Sequence, residues 1–159
     1  MRVKAIKTEW FQDYKVPSML IATSKCTWKC EKELNMRVCQ NSALAKLPNI
    51  DVDADDVIRK YLTNSITTAI IFGGLEPFEQ FDEVFDFIKK LRTEYHCDDA
   101  VVIYTGFNQN EILLQIEALK QFKNIIIKTG RYVPNQEKHY DEVLGVWLAS
   151  GNQHAEVIS

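Results

Sequence analysis

The sequence predicts an α/β domain built on an open, mostly parallel sheet, or a partial (β/α) barrel, of about five or six strands. One observation is a series of short apolar runs typical of buried strands, at residues 19–23, 68–72, 100–105, 124–128 and 143–149. The other is that helical patterns lie between these runs, as parallel neighbours require. A complete eight-unit barrel takes about 250 residues, and this chain has 159.

Three segments carry a helical pattern. Residues 81–91 place Phe81, Val84, Ile88 and Leu91 on one face. Residues 110–122 repeat this pattern, and residues 53–62 do so with Asp53 suited to the helix start. Residues 151–159 lack periodicity, so we expect an ordered loop or a frayed tail there.

Composition narrows the classes of function. The net charge is -3, with 19 Lys and Arg scattered among 22 Asp and Glu, so we expect no nucleic-acid or anionic-lipid partner. The N-terminal residues lack the apolar core of a leader, and no stretch is long enough to cross a bilayer. We therefore expect one domain over residues 1–159, without a membrane partner, in the cytoplasm.

Three of the four cysteines fall within fourteen residues, which favours metal or redox chemistry over disulfides in a reducing compartment. Cys26, Cys30 and Cys39 follow the first firm strand in a Cys-x3-Cys-x8-Cys arrangement. Three thiolates can hold three corners of a cubane iron-sulfur cluster and leave the fourth iron open. Around them we expect Trp28 to shield the cluster, and two cations to offset its negative charge, Lys25 and Lys29.

A zinc site or simple buried thiols are the alternatives. Zinc usually takes four ligands in paired short spacings. The other donors lie far away in sequence, at His96, Cys97, His139 and His154. Cys97 lies near the start of a predicted strand and is interpreted as a structural thiol.

A glycine-containing loop follows the second firm strand and reads Phe-Gly-Gly-Leu-Glu-Pro-Phe-Glu-Gln over residues 72–80. Glycines let the backbone approach a ligand, and exposed carbonyls can accept from an ammonium group. Parallel sheets place their sites at the carboxyl ends of strands, where both this loop and the cysteines lie.

Together, the two loops resemble the radical S-adenosylmethionine superfamily, whose pattern is Cys-x3-Cys-x2-Cys after one strand and Gly-Gly-Glu-Pro after the next. The resemblance implies that Cys26, Cys30 and Cys39 hold a [4Fe-4S] cluster. It also implies contacts to the methionine moiety of S-adenosyl-L-methionine from the second loop, by Gly73, Gly74 and Glu76.

Within that superfamily the chain is most similar to the anaerobic ribonucleotide reductase activating proteins. Residues 104–107, 125–132 and 150–153 resemble three further segments of that family in the same order. Thr105, Gly106 and Lys128 are therefore candidates to line the cofactor pocket. The alternative is that Gly106 only permits a turn and that Lys128 is solvated. Likewise, residues 152–153 would approach adenine or a partner, or would form a polar tail.

Two departures from the family pattern stand out. The second cysteine interval is eight residues instead of two, so residues 31–38 contain in effect a six-residue insertion, which the fold can accommodate if it bulges outward. Val38 replaces the usual aromatic residue before the third cysteine. The glycine loop also contains an additional Leu75, so either Leu75 or Glu76 takes the position of the family's glutamate.

The resemblance implies a radical enzyme in which the open iron chelates S-adenosylmethionine and an electron cleaves it to a 5'-deoxyadenosyl radical. Its partners would be a glycyl-radical enzyme, such as an anaerobic ribonucleotide reductase, and a reductant such as flavodoxin or ferredoxin. Two alternatives remain open. One is a small radical enzyme that modifies a metabolite or peptide, and the other is a cluster- or zinc-binding module without catalysis.

Overall fold

The computed structural model describes residues 1–159 as a mixed α/β structure with a seven-stranded central sheet. The strand order is β3-β1-β2-β4-β5-β6-β9. A separate two-stranded hairpin consists of β7 and β8. The strands are β1 (Arg2–Trp10), β2 (Ser18–Thr23), β3 (Ile50–Asp51), β4 (Ala69–Gly74), β5 (Ala100–Tyr104), β6 (Ile125–Thr129), β7 (His139–Asp141), β8 (Val146–Leu148) and β9 (His154–Val157).

The four central strands β2, β4, β5 and β6 are parallel, which confirms the mostly parallel α/β sheet. The edge strands β1, β3 and β9 are antiparallel additions. The predicted count of five or six strands was too low because charged residues hide the pattern of β1. Two further expectations were wrong: residues 151–159 contain β9 instead of a loop or tail, and only Val146–Leu148 of residues 143–149 form a strand.

Five α-helices accompany the sheet: α1 (Lys29–Leu34), α2 (Ser42–Ala45), α3 (Ala54–Leu62), α4 (Phe81–Thr93) and α5 (Leu113–Leu119). The helices predicted over residues 53–62 and 81–91 are confirmed. Asp53 caps α3 by accepting from the amides of Asp55 and Asp56. The helix predicted over residues 110–122 is shorter, because a 3-10 turn at Gln109–Glu111 precedes it and Ile112 leaves helical geometry. No helix is long and apolar enough to cross a membrane.

The two faces of the sheet differ. On one face, alternate strand residues such as Ile21, Phe72 and Ile103 join α3, α4 and α5 in a core of 21 buried residues. On the other face, a smaller cluster around Tyr14 and Leu148 covers only part of the sheet. The uncovered part of this face lines the cavity described next.

Candidate metal and cofactor site

The nine residues predicted to hold the cluster or to contact the cofactor all line one cavity of about 500 Å³. This cavity lies at the carboxyl ends of the parallel strands, where α/β sheets place their sites. The nine are Cys26, Cys30, Cys39, Gly73, Gly74, Glu76, Thr105, Gly106 and Lys128. The fold thus brings residues from the ends of β2, β4, β5 and β6 to one cavity.

The long cysteine interval brings Cys39 back to the cavity by folding outward. Its first part is the end of α1, and residues 32–37 are all exposed. The chain then returns, and the amide of Cys39 donates to Glu31 Oε1 at 3.1 Å. A carboxylate at the start of the insertion thus fixes its far end, as the predicted outward bulge requires.

The three cysteines in the cavity are free thiols. The amide of Trp28 donates to Cys26 Sγ at 3.3 Å, and burial raises the pKa of Cys26 to about 11. A metal must therefore displace the thiol protons as it binds. No group of three or more His, Cys, Asp or Glu side chains is placed to hold a single metal ion. A cubane offers a different iron to each thiolate, so three converging but separated thiols suit it.

The remaining candidate donors lie elsewhere. Cys97 packs against the large core on the helix-covered face, and its carbonyl accepts from Arg92 Nη1 at 2.6 Å. His96, His139 and His154 are absent from the cavity lining. The cavity therefore offers three thiols and no imidazole, a donor set that fits a cluster with one open iron.

The glycine loop is tied to the cysteine segment by backbone and side-chain bonds. Gly74 has φ +88°, and a Cβ there would lie 2.8 Å from Ala22 Cβ, so this position requires glycine. Its carbonyl accepts from Asn41 Nδ2 at 2.6 Å. The Gly73 carbonyl accepts from Thr23 Oγ1 at 3.1 Å. A carbonyl oxygen has two lone pairs, so the Gly74 carbonyl at the end of β4 can accept from a second donor.

Glu76 is buried, and its carboxylate connects the glycine loop to the next strand end. It accepts from Thr105 Oγ1 at 2.7 Å, from the amide of Gly106 at 2.8 Å and from the amide of Phe78 at 3.1 Å. Burial raises its pKa. Gly106 therefore does more than permit a turn, because its amide holds a buried carboxylate.

Lys128 is buried, so the alternative of a solvated lysine was wrong. Its ammonium donates to the Gly130 carbonyl at 3.0 Å and lies 5.9 Å from the Tyr104 ring centroid. Burial lowers its pKa to about 8.

Gln153 is also buried, and it accepts from the amides of residues 149 and 150. Asn152 Nδ2 donates to the Arg131 carbonyl, so residues 152–153 fasten a loop and are not a polar tail.

Ion pairs hold α1 against the neighbouring strand ends. Arg131, whose side chain is 9% exposed, contacts Glu33 Oε2 at 3.1 Å and Glu111 at 2.7 Å. Glu111 also pairs with Lys29. We call these four residues the α1 clamp. Lys29 is thus paired with a carboxylate, and Lys25 Nζ lies 3.8 Å from Glu83 Oε1. The positive charges that were expected to offset the cluster are therefore already offset by carboxylates of the chain.

Sequence reasoning missed several residues of this site. Arg131 lies within residues 125–132, which resemble a family segment, but its partners Glu33 and Glu111 lie far away in sequence. Asp13, Trp10 and Trp147 also line the cavity. Trp28 instead lines a second depression on the outer side of the cysteine segment. No local pattern marks these residues, because long-range folding alone brings them to the cavity.

Three thiols line one cavity at the carboxyl ends of a mostly parallel α/β sheet, and such a donor set suits an iron-sulfur cluster. The chain belongs to the 4Fe-4S single cluster domain family, whose family model matches residues 18–155. This match spans the cysteine segment, the glycine loop and all of the central parallel strands. A comparison with curated proteins finds no match.

Proposed function

We propose that Cys26, Cys30 and Cys39 hold the [4Fe-4S] cluster and that the chain is a radical S-adenosylmethionine enzyme. The observation that carries this proposal is the convergence of the three thiols with Gly73 and Gly74 on one cavity. When bound, the cluster supplies one electron to S-adenosylmethionine, whose carbon-sulfur bond breaks to give methionine and a 5'-deoxyadenosyl radical. The residues of the chain bind, orient and shield the reactants.

In this proposal the glycine loop receives the amino group of the methionine moiety. The Gly74 carbonyl lines the cavity and accepts from Asn41 through one lone pair, and its second lone pair can accept from an ammonium group. The Glu76 carboxylate is engaged by Thr105 and Gly106, so it orients the loop instead of binding the ligand directly. Lys128, buried beside the same cavity, is placed to donate to a carboxylate or carbonyl of the bound cofactor.

We propose further that the chain acts as an activase, which abstracts a hydrogen from a backbone glycine of a glycyl-radical enzyme such as an anaerobic ribonucleotide reductase. The resemblance described above supports this role. A reductant of the flavodoxin or ferredoxin type would deliver the electron.

A specific observation favours a second candidate, an enzyme that modifies a small molecule. The cavity continues beyond the glycine loop to Trp10, Asp13 and Trp147. Asp13 and Lys128 line it with opposite charges and form no ion pair with each other, and each retains unused hydrogen-bonding capacity. A cavity lined in this way suits a ligand that offers both a hydrogen-bond donor and a hydrogen-bond acceptor.

The test is anaerobic reconstitution with iron and sulfide, followed by reduction in the presence of S-adenosylmethionine. We expect the wild type and Cys97→Ala to bind about four irons and release 5'-deoxyadenosine, and Cys39→Ala to lose both. Cys97→Ala is the matched control because it removes a thiol outside the cavity. Product from Cys39→Ala at the wild-type rate would refute the ligand assignment, and a bound cluster without product would leave an iron-sulfur module without this chemistry. Glycyl-radical formation in a candidate partner, followed by electron paramagnetic resonance, separates the activase from the small-molecule enzyme.

A further inference from the structure

The outer side of the cysteine segment carries a second depression, lined by Trp28, Glu31, Arg37, Cys39, Ser42, Ala45 and Lys46. We call it the outer depression. Cys39 lines both the outer depression and the inner cavity. The third cysteine therefore stands between the interior site and a surface that other molecules can reach.

The charge of this segment differs from that of the chain. Between residues 25 and 47, five of the seven charged side chains are basic, whereas the whole chain has a net charge of -3. Lys25 and Lys29 are paired with carboxylates. Lys32, Arg37 and Lys46 are exposed and form no ion pair. Two of these unpaired cations, Arg37 and Lys46, line the outer depression together with Cys39.

The only carboxylate lining the outer depression is engaged by the backbone. Glu31 Oε1 accepts from the amide of Cys39. This bond leaves the negative charge of Glu31 in place, but the two cations Arg37 and Lys46 outnumber it, so the lining of the outer depression carries a net positive charge. Apolar side chains next to them are also exposed, with Met36 at 54% and Leu47 at 47%. Exposed apolar side chains beside unpaired cations suit a brief encounter with an acidic protein surface.

We propose that the outer depression is the docking site for an acidic one-electron carrier protein, and that the electron enters the site through Cys39. The inference rests on the proposed function, in which Cys39 is a cluster ligand. In the transfer the carrier is oxidised by one electron and the cluster is reduced by one, and no bond forms or breaks. In this proposal the long cysteine interval has a function, since residues 31–38 contribute Glu31 and Arg37 to the outer depression.

Charge complementarity of this kind acts mainly on the association rate. Attraction between an acidic carrier and the rim would raise that rate by about tenfold or more at low ionic strength. Added salt would remove the gain, because the Debye length is about 10 Å at ~0.1 M ionic strength. An alternative role for these cations, neutralising the cluster, would alter reduction by any reductant and would not depend on the carrier.

The experiment compares Arg37→Glu/Lys46→Glu with Lys60→Glu/Lys89→Glu. The second pair has the same change of charge at exposed, unpaired lysines of α3 and α4. Reduction of the reconstituted protein by an acidic flavodoxin is followed by stopped flow over a range of salt, with sodium dithionite as the small reductant. Binding of the oxidised flavodoxin to the iron-free protein is measured in parallel.

We expect Arg37→Glu/Lys46→Glu to slow flavodoxin reduction about tenfold at low salt and to flatten its salt dependence. Dithionite reduction and iron content should equal those of the control pair. If the double reversal disturbs iron content, Arg37→Gln/Lys46→Gln is expected to give a smaller loss in the same direction. Equal flavodoxin rates and equal binding for the two pairs would overturn the docking site. Retained, charge-dependent binding by a chain that takes up no iron would instead refute the proposed function and support the surface.

Discussion

The backbone amide of Glu76 donates a 2.9 Å hydrogen bond to the carbonyl of Lys25, and this bond joins the glycine loop to the residue before the first cysteine. The two loops follow adjacent parallel strands, β4 and β2. The same residue accepts from Thr105 and Gly106 through its carboxylate. Glu76 thus connects three strand ends around the cavity.

Replacement of Glu76 tests this connection. Glu76→Ala removes the acceptor for the Thr105 hydroxyl and the Gly106 amide, and a buried donor left unsatisfied costs about 1–3 kcal/mol. We expect a loss of that order in the free energy of unfolding of the iron-free protein, measured by urea denaturation. Glu94→Ala is the control, because Glu94 is exposed at the end of α4. Equal midpoints for the two variants would argue against the connecting role.

Two adjacent glycines offer a matched pair of substitutions. Gly74→Ala forces a positive φ on alanine and brings its Cβ to 2.9 Å from Ala22 Cα, so we expect destabilisation by about 1–3 kcal/mol. Gly73→Ala has no contact shorter than 3.5 Å and should lose little stability. Thermal and urea unfolding of both variants provide the measurement. A Gly74→Ala protein as stable as Gly73→Ala would show that the close approach of β4 to β2 relaxes freely.

The lowered pKa of Lys128 predicts that the stability of the folded protein depends on pH in the alkaline range. Burial lowers its pKa to about 8 from 10.5, so the folded state disfavours the charged form. Its contribution to stability is therefore complete above the unfolded pKa of 10.5 and is lost as the pH falls through about 8. The difference between these pKa values corresponds to about 3 kcal/mol.

Lys128→Met cannot titrate, so the difference between variant and wild type isolates this contribution from the cysteine thiols. We expect the unfolding free energy of Lys128→Met, relative to the wild type, to fall by about 3 kcal/mol between ~pH 7 and ~pH 11. Urea denaturation of the reduced, iron-free proteins at each pH measures it. A difference that stays constant over this range would falsify the assignment of the lowered pKa to Lys128.

The α1 clamp predicts an acid transition. The hydrogen bond from Arg131 is the main cause that lowers the pKa of Glu111 to about 2 from 4.5. The stability that this pair contributes is present above the unfolded pKa of 4.5 and is lost as the pH falls through about 2. In the iron-free Glu111→Gln protein, the free energy of unfolding should therefore depend less on pH in the acid range than it does in the wild type.

The same variant should loosen α1 locally, because Lys29 and Arg131 lose their shared carboxylate. Hydrogen exchange of amides 30–34 is expected to accelerate, while the buried strand β5 keeps its wild-type protection. Glu117→Gln, which removes an exposed carboxylate on α5, is the control. Unchanged exchange in α1 would show that other contacts hold this helix.

Much of the architecture could be predicted from the sequence, because buried parallel strands need continuous apolar runs. Residues 19–23 and 124–128 form strands within one residue of their predicted bounds. β9 escaped prediction because its polar sequence gains stability from pairing with β6, which no local pattern records. β1 was missed for a similar reason, since it contains four charged residues, of which Lys4 is buried only through its contacts with distant carbonyls.

The sequence by itself determined the chemical types at the site: three thiols, three glycines and the polar residues at the strand ends, each carried by a local motif. Only the tertiary structure decided that Cys39 returns to Cys26 and Cys30 across the long interval, through the bond from its amide to Glu31. It also decided that Lys128 is buried and that Arg131 meets Glu33 and Glu111. The physical reason is that burial and ion pairing depend on which distant segments meet, and a sequence motif records only the spacing of neighbours.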